Sequence, residues 1–383
     1  MATTATVRSR VLRIPGGTSE YFISVTPAPS GGFTAQARAA AAAYAEAARE
    51  LGLAPDSAIF RRIFLKGPAA RLKALGAVPF SLGPGEGPVA LSVVRQPPLP
   101  GGELTLLAYH AQGPRPLRKR RLAPGHLSVS AGGLRQVWSA GLNGRPGLTA
   151  AEQTKEIFSD LAGALRRAGG TLAGGCVRTW LFMGDIASAY PGMVAARSEF
   201  FKRHGLTRAT HFISSTGIEG ATGGAGCQVG LDAYSVPGLR PGQVSYLNDF
   251  SRLCRAADYD VTFERGTRVR YADRSHYFIS GTASIDKAGG ILYPGDALRQ
   301  LKRTMGNIGA LLRSGGAGPR DLMYLVVYLR NPSDHRRVAA YLEDNFGGLP
   351  LAVVRGAVCR PGWLVEVEGV AAAPGKTAGL PRF

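Results

Sequence analysis

The chain has 383 residues, is 45% hydrophobic and carries 46 Lys+Arg against 26 Asp+Glu, a formal net charge of +20. Such a length supports two or three compact units with real cores, and no window approaches the ~18 apolar residues that a membrane span needs. Cys176, Cys227, Cys254 and Cys359 stand far apart, with no Cys-x-x-Cys and no nearby His pair. That spacing speaks against a zinc site and for reduced thiols in the cytoplasm.

The N-terminal stretch "MATTATVRSRVLRIPGG" lacks the apolar block of a secretory signal, so a cytoplasmic location is expected. A positive field of this size attracts nucleic acid, anionic lipid or small anions. Most of the excess is Arg dispersed through an Ala/Gly/Pro-rich chain, the pattern of a GC-rich genome. The densest run, "RPLRKRRLAPG", has no interleaved aromatics and is expected as a solvated linker, not a nucleic-acid groove.

In chain order the sequence repeats itself. The first copy (1–112) opens with "YFISVT", then the helical "FTAQARAAAAAYAEAARELG", the apolar strand "SAIFRRIFLKG", the helix "AARLKALG" and "LSVVRQPPLPGGELTLLAY". The second (124–236) has "QVWSAGLNG", the helix "TAAEQTKEIFSDLAGALRRAGG" with Thr149 placed as N-cap and Gln153 near the end of that first turn, the strand "CVRTWLFMGD", the helix "MVAARSEFFKRHG", and the strands "THFISSTG" and "CQVGLDAYSV". The third (245–373) returns to "YFISGT", followed by "ALRQLKRTMGNIGALLRSGG", "DLMYLVVYLRN", "DHRRVAAYLEDNF" and "LAVVRGAVCRPGWLVEVEG". The joints "RAGG" and "RSGG" have the composition of helix C-caps. Linkers are expected near 112–125 and 237–250. Each copy is an α+β unit with one helix layer to cover one sheet face.

The third copy carries an excess of chemistry. Glu366 and Glu368 alternate with Val365 and Val367, so both carboxylates leave the strand on one side. Aligned at an offset of 260, Cys359, Glu366 and Glu368 face Leu99, Leu106 and Ala108 of the first copy, and the second keeps only Asp232, opposite Glu368. A fold requirement would be met in every copy, so confinement to one favours chemistry. The Gly-rich "IEGATGGAG" lies between strands, not at a helix start, and makes a poor phosphate loop. His211 and His276 are expected to cap or face solvent, and the six histidines form no ligand cluster.

The strand–helix–strand–helix–strand unit, with "FISGTASI" and "VEVEGVA", resembles the Rid (reactive intermediate deaminase) family of small α+β trimers with ligand clefts between subunits. The resemblance implies three Rid-like repeats of chorismate-mutase-like, ferredoxin-type α+β topology, forming an intrachain pseudo-trimer that needs no further copy. More narrowly, "FISGTASID", "MGNIGALL", "LMYLVVYLRNPSD" and "VCRPGWLVEVEGVA" resemble the chorismatases, which hydrolyse the enol ether of chorismate and release pyruvate. The Cys-x6-Glu spacing of Cys359 and Glu366 matches those that make 3-hydroxybenzoate. One segment departs: where chorismatases carry Tyr-Gly-Pro-x-Ser-Pro-x-Phe-x-Arg, this chain reads "AADYDVTFERGTRV", keeping Phe263 and Arg265 with Tyr259 nearby.

This resemblance implies a cofactor-independent, metal-free enzyme of secondary metabolism acting on a small anionic substrate. Glu366 would be the general acid, its pKa raised by partial burial and by the second carboxylate. Glu368 would be its modulator, unless it instead pairs with an arginine of another repeat. Cys359 would steer the product. Arg355, then Arg265, would hold substrate carboxylate through guanidinium forks, with Tyr259, Ala283 and Ser284 lining the cleft. A Rid-like imine or enamine hydrolase, an enzyme acting on another small aromatic carboxylate, and a non-catalytic ligand-binding pseudo-trimer are the alternatives. Membrane and nucleic-acid partners are not expected.

Overall fold

A computed structural model describes residues 5–131, 133–259 and 261–383, with the side chains of Ala257 and Tyr259 outside the described residues. The first unit runs β1 (Ala5–Leu12), β2 (Ser19–Pro27), α1 (Phe33–Glu50), β3 (Ala58–Leu65), α2 (Ala70–Gly76), β4 (Ala90–Val94) and β5 (Leu104–Gln112). The second has β6 (Arg118–Ala123), β7 (His126–Ala131), β8 (Leu134–Asn143), α3 (Ala150–Arg167), the short α4 (Leu172–Gly175), β9 (Cys176–Met183), α5 (Ile186–Arg203), β10 (Ser214–Glu219) and β11 (Val229–Ser235). The third has β12 (Val244–Tyr246), β13 (Gly266–Arg270), β14 (Arg274–Ala283), α6 (Ala297–Ser314), β15 (Leu322–Leu329), α7 (His335–Phe346), β16 (Leu351–Arg355) and β17 (Val365–Pro374).

Each unit builds its own sheet, and one strand order recurs: β2-β5-β3-β4, β8-β11-β9-β10 and β14-β17-β15-β16, with extra strands added at one edge. The expected three α+β repeats are therefore present. The basic run is not a linker: Arg118–Ala123 pairs antiparallel with β7 as the last strand of the second sheet. Exposed Arg118, Arg120 and Arg121 on that strand discourage further edge pairing, a common use of charge at sheet edges.

Local signals account for the helices. Thr149 caps α3 in a capping box whose partner is Glu152, while Gln153 turns inward and accepts from the backbone N–H groups of Gln228 and Val229. The long helices α3 and α6 end where Gly169 and Gly316 take positive φ, with Gly170 and Ala317 donating back to Leu165 and Leu312. In β14 and β17, Ile279, Val365 and Val367 are fully buried.

The opposite faces of the three sheets meet one another. Phe22, Tyr109, Trp138, Tyr234 and Phe278 form a continuous aromatic chain across the units, with ring centroids 4.7–5.3 Å apart. The ring closes in one sense: β4 packs on β8, β10 on β14, and β16 on β2 and β5. Each pair of units also shares a buried ion pair, Arg62–Asp232 at 2.7 Å, Arg178–Glu368 at 2.5 Å and Arg274–Glu20 at 2.6 Å. His276 joins the last of these by bonding Glu20 at 2.8 Å, so it is neither a cap nor solvent-facing.

The register corrects the alignment of copies. Tyr109 pairs with Phe22 and Phe60, Tyr234 with Trp138 and Arg178, and Val370 with Phe278 and Tyr324. Carried along the strands, Glu366 is equivalent to Gly230 and Thr105, and Glu368 to Asp232 and Leu107. The first copy's partners are thus Thr105 and Leu107, not Leu106 and Ala108. One extra residue in the turn after Cys359 shifts the offset from 260 to 261, and a one-residue slip puts every side chain on the other face.

Candidate active site

A cleft of about 250 Å³ opens between the second and third units. One wall is the third unit: Gly281 and Ala283 of β14, Cys359 and Trp363 of the turn before β17, and Glu366 of β17. The other is the second unit, with Tyr190 and Arg197 of α5 and Ser215 and Gly217 of β10. Val261, Phe263 and Arg265 approach from the segment ahead of β13, and Arg360 and Ile285 complete the lining. The aromatic junction of the three sheets leaves only about 40 Å³, too little for an organic substrate.

Glu366 is 6% exposed. Burial first, and then the neighbouring Glu368 carboxylate, push its pKa from the ordinary 4.5 up to about 8, against the pull of Arg178 and Arg265. The side chain is therefore a carboxylic acid at neutral pH. It lies directly over Gly281, where a Cβ would stand 2.2 Å from Glu366 Oε1. The glycine of "FISGTAS" is what lets the acid sit against β14. Gly281→Ala should displace the carboxyl and lower kcat by about tenfold or more with little change in KM; steady-state kinetics on the folded variant checks this.

The cations are arranged around that acid. Arg197 is 3% exposed, held by its Nε to Thr262 Oγ1 at 3.2 Å, and has no carboxylate partner among the described residues. Its burial lowers its pKa, the mark of a cation that gains from an incoming anion. Arg265 is anchored by Nε to the Cys254 carbonyl at 3.1 Å, beside Phe263. Arg360 reaches the Gly289 carbonyl and lies over Trp363. Cys359 faces the Tyr190 hydroxyl; burial, then Glu366, raises the thiol to about 11. It is a neutral thiol near pH 7 and not a ready nucleophile.

Of the residues expected from sequence, Glu366, Cys359, Arg265 and Ala283 come together in this cleft. Three others do not. Glu368, on the same strand face, is fully buried and is taken up by Arg178, Thr216 and Tyr328, so it is an inter-repeat ion-pair residue lying behind the acid. Arg355 is exposed and lines a separate cavity with Arg95. Ser284 is buried and donates to the Leu292 carbonyl at 2.9 Å, away from the cleft. The side chain of Tyr259 lies outside the described residues. Sequence reasoning missed Tyr190, Arg197, Gly281 and Trp363. A signal for Arg197 exists: it interrupts the buried stripe Ile186, Ala189, Met193, Ala196, Phe200 of α5.

The family model described as Endoribonuclease L-PSP matches residues 269–373. A crystal structure of a chorismatase is similar over 82% of this chain and 93% of its own, with a TM-score of 0.62 and 19% identity, a likeness of fold. A RutC family protein of Pyrococcus horikoshii is 30% identical over 96 residues, 24% of this chain and 76% of that protein. Its counterpart from Pyrococcus abyssi is 32% identical over 96 residues, again 24% of this chain and 76% of that protein. Through the unit that bears Glu366, the chain belongs to the RutC family.

Proposed function

We propose that this protein hydrolyses the enolpyruvyl ether of chorismate or a close analogue, with Glu366 as general acid. The observation that carries the reading is a carboxylic acid kept protonated near neutral pH in a cleft bordered by Arg197, Arg265 and Arg360. An enol ether needs such a group: the proton of Glu366 goes to the terminal vinyl carbon, whose π pair forms the new C–H bond. The adjoining carbon becomes an oxocarbenium stabilised by the ether oxygen. Water adds there and returns a proton to the Glu366 carboxylate, and the resulting hemiketal expels the ring alcohol, leaving pyruvate. The guanidinium groups offer charge-assisted bonds to substrate carboxylates. The chorismatase likeness over most of both chains and the Cys359–Glu366 spacing support this substrate.

The test is incubation with chorismate, following pyruvate and identifying the second product by mass. A cyclohexadiene diol acid or a hydroxybenzoate, with stoichiometric pyruvate, is expected; no turnover would defeat the assignment. Because the acid must be protonated, kcat/KM should fall about tenfold per pH unit above about pH 8 and level off below it. A pH–rate profile reads this directly.

The departed segment at 258–268 and the RutC membership favour a second reading. There the same acid protonates the β-carbon of an enamine, and water completes hydrolysis of the iminium to a ketone and an amine. Turnover of a 2-aminoacrylate-type enamine without turnover of chorismate selects it.

A further inference from the structure

At one end of the pseudo-threefold axis, away from Glu366, a second cavity of about 240 Å³ is lined by all three units. Val94 pairs with Phe64, Ile218 with Phe182 and Val354 with Tyr328, which makes the next residues, Arg95, Glu219 and Arg355, equivalents at the ends of β4, β10 and β16. All three line the cavity. No ion pair joins Glu219 to either arginine among the described residues, although the three share one small space. Arg355 is exposed with no side-chain partner among them, and Arg95 has only a 3.3 Å contact from Nη2 to the Gly223 carbonyl, its buried Nε unpartnered.

The residues one step further along the axis are Gln96, Gly220 and Gly356. A Cβ on either glycine would strike the Gln96 side chain, at 2.9 Å for Gly220 and 3.1 Å for Gly356, so the two glycines make room for it. Gln96 is 1% exposed; its Nε2 donates to the Glu219 carbonyl at 2.5 Å, and its Oε1 has no partner among the described residues. A buried acceptor left open is costly unless something arrives to satisfy it. It stands behind the cavity floor at Gly220.

We propose that this axial cavity binds a small α-amino acid. Arg95 and Arg355 present two guanidinium forks to its carboxylate. The ammonium takes the Glu219 carboxylate. A simple anion would satisfy the arginines but would set a second negative charge beside Glu219. A zwitterion answers both signs. This site is independent of the reaction assigned to Glu366.

The test is calorimetric titration of the full chain with each of the common α-amino acids at millimolar concentration, alongside the same molecules lacking the amino group. At least one amino acid should bind, and its deaminated analogue at least ~10-fold more weakly. Arg355→Ala, at an exposed position, should weaken the amino acid ~10-fold or more. Glu219→Gln should remove the preference for the amino group, and Glu366→Gln should leave binding unchanged. Three results overturn the proposal: no amino acid binds, the deaminated acid binds as well as the amino acid, or binding survives Arg355→Ala and is lost in Glu366→Gln.

Discussion

Glu366→Gln should lower kcat for pyruvate release in the proposed hydrolysis of chorismate by about 10³-fold while KM changes little. General acid catalysis contributes about 10²–10⁴-fold where the proton must reach a positioned carbon, and the described residues of the cleft offer no replacement. Its other acids are the Cys359 thiol, raised to about 11, and the Tyr190 phenol, raised well above its usual range by burial and then by Cys359. The amide keeps the shape and can donate a hydrogen bond but cannot release a proton, so ground-state binding survives. Retained activity in this variant would show that the acid has been misassigned.

The same variant carries a stability signature. The folded pKa of Glu366, about 8, lies above its unfolded value near 4.5, so the folded chain binds the extra proton between those limits. The contribution is fully present below pH 4.5 and is lost as pH rises through 8, by roughly 5 kcal/mol in all. Glu366→Gln removes that slope. Denaturant unfolding at pH 5 and pH 9 should show the parent losing stability over the interval and the variant losing less. An active-site acid that costs stability when ionised is expected of a group kept for chemistry and not for packing.

Much of this was legible in the sequence because it is written locally. The repeats show as apolar patterns at fixed offsets, and the polar excess of "CRPGWLVEVEG" stands out against its counterparts. The arrangement of Phe263, Arg265, Ala283 and Cys359 around Glu366 follows from one unit's own strands and turns. The opposite wall does not. Tyr190 and Arg197 belong to α5 of the preceding unit, and only the closing of the ring, β10 on β14, brings them within reach of β17. Arg355 is misplaced by the sequence, and the inter-repeat pairing of Glu368 is legible there only as one of two alternatives, for the same reason. Their partners or neighbours, Arg62 and Arg178 for Glu368 and Arg95 for Arg355, lie in other units. The one-residue slip at Thr105 and Leu107 arose because both faces of β5 are buried, leaving no polar alternation to set the register.

Glu368→Gln should destabilise the fold by about 3–5 kcal/mol, the cost of leaving a buried partner charge without its counterion. Glu368 is fully buried and accepts from Arg178 Nη2 at 2.5 Å, from Tyr328 Oη at 3.0 Å and from Thr216, while Arg62 stands 3.8 Å away. Arg62 keeps Asp232 at 2.7 Å when the carboxylate is lost, but Arg178 keeps no carboxylate, and its Nη1 is already unpartnered among the described residues. Replacing both residues of the pair, Arg178→Met with Glu368→Met, should recover most of the loss, since the charge and its counter-charge leave together. Chemical denaturation of the single and double variants measures this, and a single variant as stable as the parent would deny the pair its structural role. The substitution also reaches the chemistry without touching substrate. Glu368 helps raise the Glu366 pKa, and Arg178, released from Glu368, pulls it down. In Glu368→Gln the alkaline limb of kcat/KM should therefore move from about pH 8 toward lower pH, with activity at the acidic plateau retained. A structural role alone would lower stability and leave that limb in place. The shift would mark Glu368 as a residue that, after burial, helps keep the acid protonated.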